Sequence, residues 1–401
     1  MFVKEIVPRI IKNSRGEKTI EVRLRTYEGK FFSSAPSGKS RGKREVEPYN
    51  IRGIDWSFKL LRAFCRILVH KNFIIKRVDD LSSLELLLRK FEARFGKLGG
   101  NVWYVLETVF LKAAAADKGI ELWQLINNDL NNGKKPKIPM PVGNCIGGGL
   151  HSLGVKGKKP DFQEFLLIPK EKSISRAVTL NLRAYTRAAS LLRAKKRNDE
   201  NAWETNRTNE ETLSVLKKVA DEFGLRVGLD VAASTFFKKG YYHYKNKRLI
   251  RDRLDQIDFI SVLKKKFGLF YIEDPLQEDD FSGFKELLAR SGKSALVVGD
   301  DLTTTNPKIV ERAIRSKCIN AVIVKPNQIG SIIEVKKVVI ICKKNKIKMI
   351  FSHRSGETKD DALADYCIGF GGDFIKSGIY GKERLIKLRR LIEIEKKINA
   401  E

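Results

Sequence analysis

Four short apolar segments decide the fold, because each runs into a charged residue: RVGLD (226–230), FYIE (270–273), ALVVGD (295–300) and NAVIVK (320–325). From Glu273 onward, the gap between successive segments has room for one helix and its loops. Charged residues at the carboxyl ends of strands, repeated in successive strand–helix units, are typical of the active-site face of a (β/α)8 barrel. The segments therefore predict an α/β barrel with a charged site at one end.

The residues that end these segments suggest a chemistry. Asp230, Glu273 and Asp300 offer three carboxylates, which form the hard, oxygen-lined kind of site that suits Mg²⁺. Lys325 would point into the barrel mouth and could act as a base if nearby cations disfavour its charge. Acidic residues at strand ends can instead cap the next helix, an explanation adequate for the aspartates that directly follow Glu273 and Asp300.

The composition of the 401 residues is 42% hydrophobic and 31% charged, enough for a two-domain globular protein. No apolar run approaches the length of a membrane span, and the start MFVKEIVPRI has no signal-peptide pattern. The five cysteines are scattered, odd in number and form no metal-binding pattern. We therefore expect a reduced, cytoplasmic protein without a membrane partner.

The formal net charge of +30 allows two interpretations. It could mark a surface that binds nucleic acid or another anionic surface. It could also reflect solvated helix faces together with a general attraction for a multiply charged anionic substrate. The basic runs are spread over many segments and accompany no recognised nucleic-acid module, so we favour the second interpretation.

The chain divides into two parts near residue 134. Alternating residues predict a hairpin over 19–32, and an apolar helical segment covers 102–119. Residues 127–141 are rich in Asn, Gly, Lys and Pro and are typical of a linker. We therefore predict a smaller α+β domain over 1–134 and the barrel over 135–401.

Two helix starts in the second part have strong signals. Thr208 and Glu211 form the sequence pattern of a capping box. Asn306 is a good cap and is followed by Pro307 at the first helical position. Helices that alternate with strands in this way argue for a mostly parallel barrel.

Seven strings carry a resemblance to a known family and occur in that family's order: DFQEFLLIP (161–169), GLDVAAS (228–234), YIEDP (271–275), GDDLTTTNP (299–307), VKPNQIGS (324–331), SHRSGET (352–358) and IKSG (375–378). The chain resembles the enolase family over nearly its whole length, from residue 13 to residue 395. The resemblance implies an enolase-type barrel, not all of whose strands need be parallel, behind an α+β cap domain. It also implies reversible dehydration of 2-phosphoglycerate to phosphoenolpyruvate, a lyase step of glycolysis and gluconeogenesis.

The resemblance implies three catalytic residues. Lys325 matches the base that removes the C2 proton, and its charge should be disfavoured by the metal and by Lys376. Glu200 matches the acid that protonates the leaving C3 hydroxyl, and Glu164 works with it. A lysine base combined with Mg²⁺ is the chemistry of the enolase superfamily.

The resemblance also implies the metal ligands and the substrate-binding residues. Asp230, Glu273 and Asp300 match the carboxylates that hold the catalytic Mg²⁺, and Ser40 matches a loop serine that closes on a second Mg²⁺ bound with substrate. The residues that match the substrate-binding positions are His151, Gln163, His353, Arg354, Ser355 and Lys376. Arg and Ser in SHRSGET would bind the phosphate, because the guanidinium gives bidentate bonds to phosphate oxygens.

This chain departs from the family pattern in three loops. The family's Gly-Asp-Glu-Gly is replaced by residues 198–201, Asn-Asp-Glu-Asn, although Asn tolerates left-handed backbone better than most residues. Lys39 and Arg41 flank Ser40, where the family commonly has Ala and Thr. Leu150 and Ser152 flank the loop histidine, where a small residue and Ala are usual.

Three functions compete at this stage. The leading hypothesis is phosphopyruvate hydratase activity with Mg²⁺, in a homodimer or octamer as the family suggests. A second is a catalytically weak enolase-like protein with a binding role towards RNA or acidic surfaces, favoured by the charge and the altered loops. A third is a related enzyme for a non-phosphorylated acid, which Arg354 and Ser355 argue against.

Overall fold

The computed structural model describes residues 1–39, 42–152, 154–155, 157–246 and 249–400. Ser40, a predicted ligand of the second metal, and its neighbour Arg41 lie outside the described residues. Among the described residues, no helix is both long enough and apolar enough to cross a membrane. All five cysteines are buried thiols.

The N-terminal domain is an antiparallel sheet covered by helices. Its three strands pair in chain order, and the predicted hairpin joins the second to the third. The elements are β1 (Glu5–Lys12), β2 (Lys18–Arg25), β3 (Lys30–Ser34), α1 (Ile54–Leu68), α2 (Ser82–Phe95), α3 (Gly100–Ala116) and α4 (Leu122–Asn131).

Helix α3 is apolar on almost every side because it is enclosed on almost every side. It packs on β2 and β3, and it also contacts the second domain. There, the Thr108 hydroxyl lies 2.8 Å from the Tyr366 hydroxyl, and Glu107 accepts a hydrogen bond from the backbone N–H of Ile332. The two domains therefore share a buried interface along α3.

The second domain is a closed eight-stranded barrel. The strands of this domain, in chain order, are β4 (Met140–Gly147), β5 (Glu164–Ile168), β6 (Arg226–Asp230), β7 (Phe237–Lys238), β8 (Tyr241–Tyr244), β9 (Leu249–Arg251), β10 (Leu269–Glu273), β11 (Leu296–Gly299), β12 (Ala321–Val324), β13 (Lys348–Ser352) and β14 (Phe374–Lys376). The barrel order is β4, β5, β6 and then β10 to β14, while β7, β8 and β9 form a separate small sheet. That small sheet accounts for the longer gap between Asp230 and Glu273.

One barrel strand runs against the others. β5 is antiparallel to both β4 and β6, whereas the remaining neighbours are parallel. The prediction that the barrel need not be wholly parallel is confirmed. Apolar side chains fill the interior, among them Val142, Leu166, Tyr271, Val298, Ile323 and Ile350.

Helices surround the barrel: α5 (Ile174–Leu192), α6 (Asn209–Glu222), α7 (Arg253–Phe267), α8 (Phe281–Ser291), α9 (Pro307–Arg315), α10 (Pro326–Ile329), α11 (Ile332–Lys344), α12 (Ala362–Phe370) and α13 (Lys382–Ala400). The predicted capping box is present at the start of α6, where the Thr208 side chain accepts a hydrogen bond from the Glu211 N–H. The side chain of Asn306 caps α9, with Pro307 in the first turn. Both predicted helix starts are confirmed.

Candidate active site

The predicted catalytic side chains converge at one end of the barrel. Asp230 and Glu273 are the last residues of β6 and β10, and Lys325 directly follows β12. Glu164 is instead the first residue of β5, and it pairs with Asp230. Because β5 runs in the opposite direction, its beginning lies where the parallel strands end.

Most of the predicted side chains line a polar cavity at this end of the barrel. It is lined by His151, Gln163, Glu164, Glu200, Asp230, Asp300, Lys325, His353, Arg354, Ser355 and Lys376, together with Gly38 and Lys39. Glu273 is fully buried directly beneath and contacts Lys376. The structure thus brings together every predicted site residue among those that it describes.

Lys376 lies at the centre of three buried carboxylates. Its Nζ is 2.9 Å from Asp230 Oδ2, 2.9 Å from Glu273 Oε2 and 3.0 Å from Glu164 Oε2. Burial lowers the pKa of the Lys376 amine, but these carboxylates outweigh burial and raise it well above its usual value. Lys376 is therefore charged and balances the carboxylates.

Burial raises the pKa of Glu273 to about 8, and the Asp230 charge adds to the rise while Lys376 opposes it. The Tyr271 hydroxyl donates a hydrogen bond to the Glu273 carboxylate. Glu273 therefore exchanges its proton near neutral pH. Any cation bound by these carboxylates would compete with that proton.

Lys325 forms a close ion pair with Asp300. Burial lowers the pKa of the Lys325 amine, as do Arg354 and Lys376, but the attraction of Asp300 prevails and the pKa is raised. The expected repulsion from Lys376 is therefore present, but in the metal-free site the Asp300 contact outweighs it. The sequence did not reveal this direct contact.

The donor set fits a hard divalent cation. Asp230, Glu273 and Asp300 contribute only carboxylate oxygens, and lysine ammonium groups neutralise them in this structure. The carboxylates whose ligand atoms all lie within 4.8 Å of one another form a different set among the described residues, Asp274, Asp300 and Asp301, which shares only Asp300 with the predicted one. The carboxylates of the site are thus placed where they can contact a positively charged group.

Asp274 has a structural task in that group. Its carboxylate accepts hydrogen bonds from the backbone N–H groups of Asp300 (3.0 Å) and Asp301 (2.7 Å). The explanation that Asp274 caps the next helix is therefore wrong. Instead it ties the end of β10 to the end of β11 and so fixes the position of Asp300.

The predicted acid lies in a second buried group. One Glu200 oxygen, Oε2, accepts a hydrogen bond from Asn144 Nδ2 at 3.0 Å and is 3.8 Å from His353 Nε2. His151 Nδ1 is 3.7 Å from Glu164 Oε1 and 3.7 Å from Glu200 Oε1. Glu164 thereby connects this group to Lys376.

Their surroundings push the pKa values of Glu164 and Glu200 in opposite directions. Burial raises the pKa of Glu164 well above its usual value, and the Glu200 and Asp230 carboxylates add to the rise, although Lys376 opposes it. Burial also favours the protonated form of Glu200, but His151 and other neighbouring groups outweigh it and hold the pKa of Glu200 well below its usual value. Burial and the Arg384 charge lower the pKa of His353, so this ring is neutral. The proton of the pair therefore lies on Glu164.

The loop that carries Glu200 forms a turn without the two glycines of the family pattern. Asn201 adopts the left-handed conformation, with φ of 64°, which asparagine tolerates. The neighbouring Asp199 forms an ion pair of 3.0 Å with Lys39, whose backbone N–H donates to Ser355 Oγ at 2.9 Å. Two loops that depart from the family pattern thus contact each other beside the cavity.

The predicted phosphate-binding residues are held in place by neighbouring side chains. Arg354 donates to both Glu45 oxygens, at 2.8 and 3.0 Å, and packs against Gly38, where any Cβ would overlap the guanidinium. Ser355 Oγ accepts a hydrogen bond from Arg15 Nη1 at 3.0 Å. The N-terminal domain therefore completes this side of the site.

Sequence reasoning missed several residues that the site uses. Glu45 and Arg15 contact the predicted phosphate-binding pair, and Asn144 contacts Glu200. For Arg15 and Glu45, the sequence offered only the string NSRGEK (13–18) and the loop after Ser40 as signals of a role in the site. Gln163, predicted to bind substrate, lines the cavity with its Nε2 at 3.4 Å from Asp230 Oδ2.

Comparisons with known proteins agree with this geometry. Residues 3–126 match the enolase N-terminal domain, and residues 135–401 match the enolase C-terminal TIM barrel domain. The enolase of Methanosphaera stadtmanae is 35% identical over 413 residues, covering 99% of this chain and 97% of the relative. The enolase of Thermoplasma acidophilum is 35% identical over 407 residues, covering 98% of each chain. By fold, site and similarity along its whole length, the chain belongs to the enolase family.

Proposed function

We propose that this protein catalyses the reversible, Mg²⁺-dependent dehydration of 2-phosphoglycerate to phosphoenolpyruvate. One observation carries the proposal: a lysine next to carboxylates, a pair of buried glutamates and an Arg–Ser pair line the same cavity. These are the groups that a reaction needs if it removes a proton, expels hydroxide and holds a phosphate.

Lys325 is the proposed base. A lysine removes a proton only in its neutral form, and the Asp300 contact favours the charged form. A cation held by Asp300 would weaken that attraction, while the repulsion from Arg354 and Lys376 would remain. Metal binding and base activation are therefore coupled through Asp300.

Asp230, Glu273 and Asp300 are the proposed ligands of the catalytic Mg²⁺, and Ser40 is proposed for the second ion. Bound Mg²⁺ would neutralise the negative charge that builds on the substrate carboxylate as the C2 proton leaves. The Lys376 ammonium is then free of two of its three partners. We assign it to the substrate carboxylate.

Glu200 is the proposed acid for the leaving hydroxyl. The proton rests on Glu164 in the substrate-free site, so it must cross the Glu164–Glu200 pair before Glu200 can donate it. Asn144 holds one Glu200 oxygen, and the neutral His353 is 3.8 Å from the same atom. This arrangement supports one shared proton for the acid step.

Arg354 and Ser355 are the proposed phosphate ligands. The planar guanidinium suits bidentate contact with phosphate oxygens, and Glu45 keeps it aligned in the substrate-free site. His151 and Gln163 are proposed to contact the substrate near its leaving hydroxyl, since both line the cavity beside Glu164.

The remaining features of the protein follow the family. We propose a boundary near residue 134, supported by the domain matches that end at 126 and begin at 135. A homodimer or octamer is proposed from family membership, and light scattering would measure it. The cytoplasm is the proposed compartment, supported by five buried thiols.

The decisive test is an assay of the purified protein with 2-phosphoglycerate and Mg²⁺, following phosphoenolpyruvate at low and high salt. Turnover should require Mg²⁺ and stop with EDTA. Full activity in excess EDTA would disprove the metal assignment, and no turnover with Mg²⁺ would disprove the function.

The net charge of +30 supports a second candidate, a binding protein for RNA or acidic surfaces. Charge that merely steers an anionic substrate should lower kcat/KM as ionic strength rises, with weak RNA binding at physiological salt. Tight, saturable RNA binding at that salt would favour the second candidate.

A further inference from the structure

We propose that Asn198 is a positioning residue for the acid step: its side chain fixes the turn that carries Glu200. This inference rests on the proposed function and deepens it. The family pattern has glycine here, so the role belongs to this chain's own sequence. It also explains how this loop forms a turn without that glycine.

One side-chain oxygen closes the turn. Asn198 Oδ1 accepts hydrogen bonds from the backbone N–H of Glu200 at 3.0 Å and of Ala202 at 2.9 Å. The Asn198 backbone N–H donates to the Ala202 carbonyl at 2.9 Å, and its carbonyl accepts from Asn201 at 3.0 Å. Asparagine readily accepts from a backbone N–H two residues on, which alanine and glycine cannot do.

The barrel wall has a matching space for this side chain. Gly147, the last residue of β4, lies against Asn198 Nδ2, and any Cβ at position 147 would overlap that atom. Asn198 is 9% exposed, and its buried Nδ2 has no hydrogen-bond partner. A buried, unpaired amide N–H is costly, so the two bonds to Oδ1 are what hold the side chain in this orientation.

The end of the turn is attached to the barrel independently of Asn198. Trp203 exchanges backbone hydrogen bonds with β4, donating to the Cys145 carbonyl and accepting from Gly147, each at 3.0 Å. Its ring stacks on Tyr185 with centroids 4.9 Å apart, and the Tyr185 hydroxyl donates to the Asn201 carbonyl. Loss of the Asn198 side chain should therefore loosen the Glu200 backbone and leave the barrel intact.

The chemical consequence is selective. Glu200 must lie within hydrogen-bond reach of both the leaving hydroxyl and Glu164, and a misplacement of about 1 Å can cost about 100-fold in rate. Lys325 is placed by β12 and makes no contact with this turn among the contacts of the described residues. Asn198 should therefore matter for hydroxide loss and not for removal of the C2 proton.

The experiment compares two activities of the full-length protein with 2-phosphoglycerate and Mg²⁺. Phosphoenolpyruvate formation reports the acid step, and exchange of the C2 proton in deuterated water reports the base step. In Asn198→Ala and Asn198→Gly, phosphoenolpyruvate formation should fall by about 10- to 100-fold. C2 exchange should stay within about 2-fold of the wild type, because Lys325 is undisturbed.

Two variants serve as matched controls. Asn201→Gly removes the same side chain three residues further along the chain. The φ of 64° at position 201 suits glycine, and no side-chain hydrogen bond to Glu200 is lost. Both activities should therefore be nearly unchanged. Asn198→Ser retains a weaker acceptor and should restore part of the dehydration. If Asn198→Ala does not fold, Asn198→Ser carries the test with the same two activities.

Parallel loss of exchange and dehydration in a folded variant at position 198 would overturn the proposal, because it would indicate a general structural role. Unchanged dehydration in Asn198→Gly would overturn it as well. A wild-type protein that neither exchanges nor dehydrates 2-phosphoglycerate would refute the proposed function, and this role with it. Selective loss of dehydration supports both.

Discussion

Replacing Lys376 by methionine should destabilise the metal-free protein and make its stability depend on Mg²⁺. The Lys376 ammonium contacts three buried acidic side chains at 2.9 to 3.0 Å and offsets part of their negative charge, while the methionine side chain has similar length and no charge. Removing one partner from a buried ion pair costs about 3–5 kcal/mol, since the remaining charges lose their compensation.

The expected shift in melting temperature follows from the size of the chain. Unfolding entropy of about 2.1 cal/mol/K per residue gives about 0.8 kcal/mol/K for 401 residues that unfold together. The loss therefore corresponds to a melting temperature lower by about 4–6 °C. The loss should be larger at pH 9 than at pH 6, because the buried carboxyl groups hold fewer protons at the higher pH and repel one another more strongly.

Calorimetry with and without Mg²⁺ measures both effects. The carboxylates left by Lys376→Met are free to bind a cation, so Mg²⁺ at 100 times its Kd should restore about 2.7 kcal/mol. Lys387→Met is the matched control, because Lys387 is equally buried but pairs with Glu357 outside the metal ligands. It should lower stability without any rescue specific to Mg²⁺.

Two results would refute this reasoning. A Lys376→Met protein as stable as the wild type at pH 9 would mean that the carboxylates do not need the ammonium group. Equal Mg²⁺ stabilisation of the Lys376→Met and Lys387→Met proteins would mean that the cation binds elsewhere.

Three further predictions concern catalysis and pH. Lys325→Ala should lower turnover by at least about 10³-fold and abolish exchange of the C2 proton, whereas Glu200→Gln should stop phosphoenolpyruvate formation and retain that exchange. The reverse pattern would mean that Glu200 is the base and Lys325 the acid. Burial raises the pKa of Glu273 from 4.5 to about 8, so the stability that its protonated form contributes to the metal-free protein is complete below pH 4.5 and is lost as pH rises through about 8. Urea unfolding between pH 5 and 9 measures this loss, which would be absent if Glu273 were ionised throughout. Arg354→Lys should raise KM by at least about 10-fold, because one ammonium cannot replace the fork that Glu45 aligns, and an unchanged KM would place the phosphate elsewhere.

Most of the barrel could be predicted from local sequence. The segments that end at Asp230 and Glu273 are strands as predicted, and Thr208 and Asn306 begin helices where their capping patterns indicated. These features are readable because strand pattern and helix caps depend on residues only a few positions apart. The family motifs added the choice of catalytic residues.

The tertiary structure alone decided how those residues meet. Glu164 joins the site because β5 runs against its neighbours, and Arg354 is held by Glu45 from the other domain. The pKa of Lys325 is raised rather than lowered because Asp300 contacts it directly. Protonation depends on burial and on distances between residues far apart in the chain. The sequence by itself therefore predicted which groups line the site, and the packed barrel determined their charges and partners.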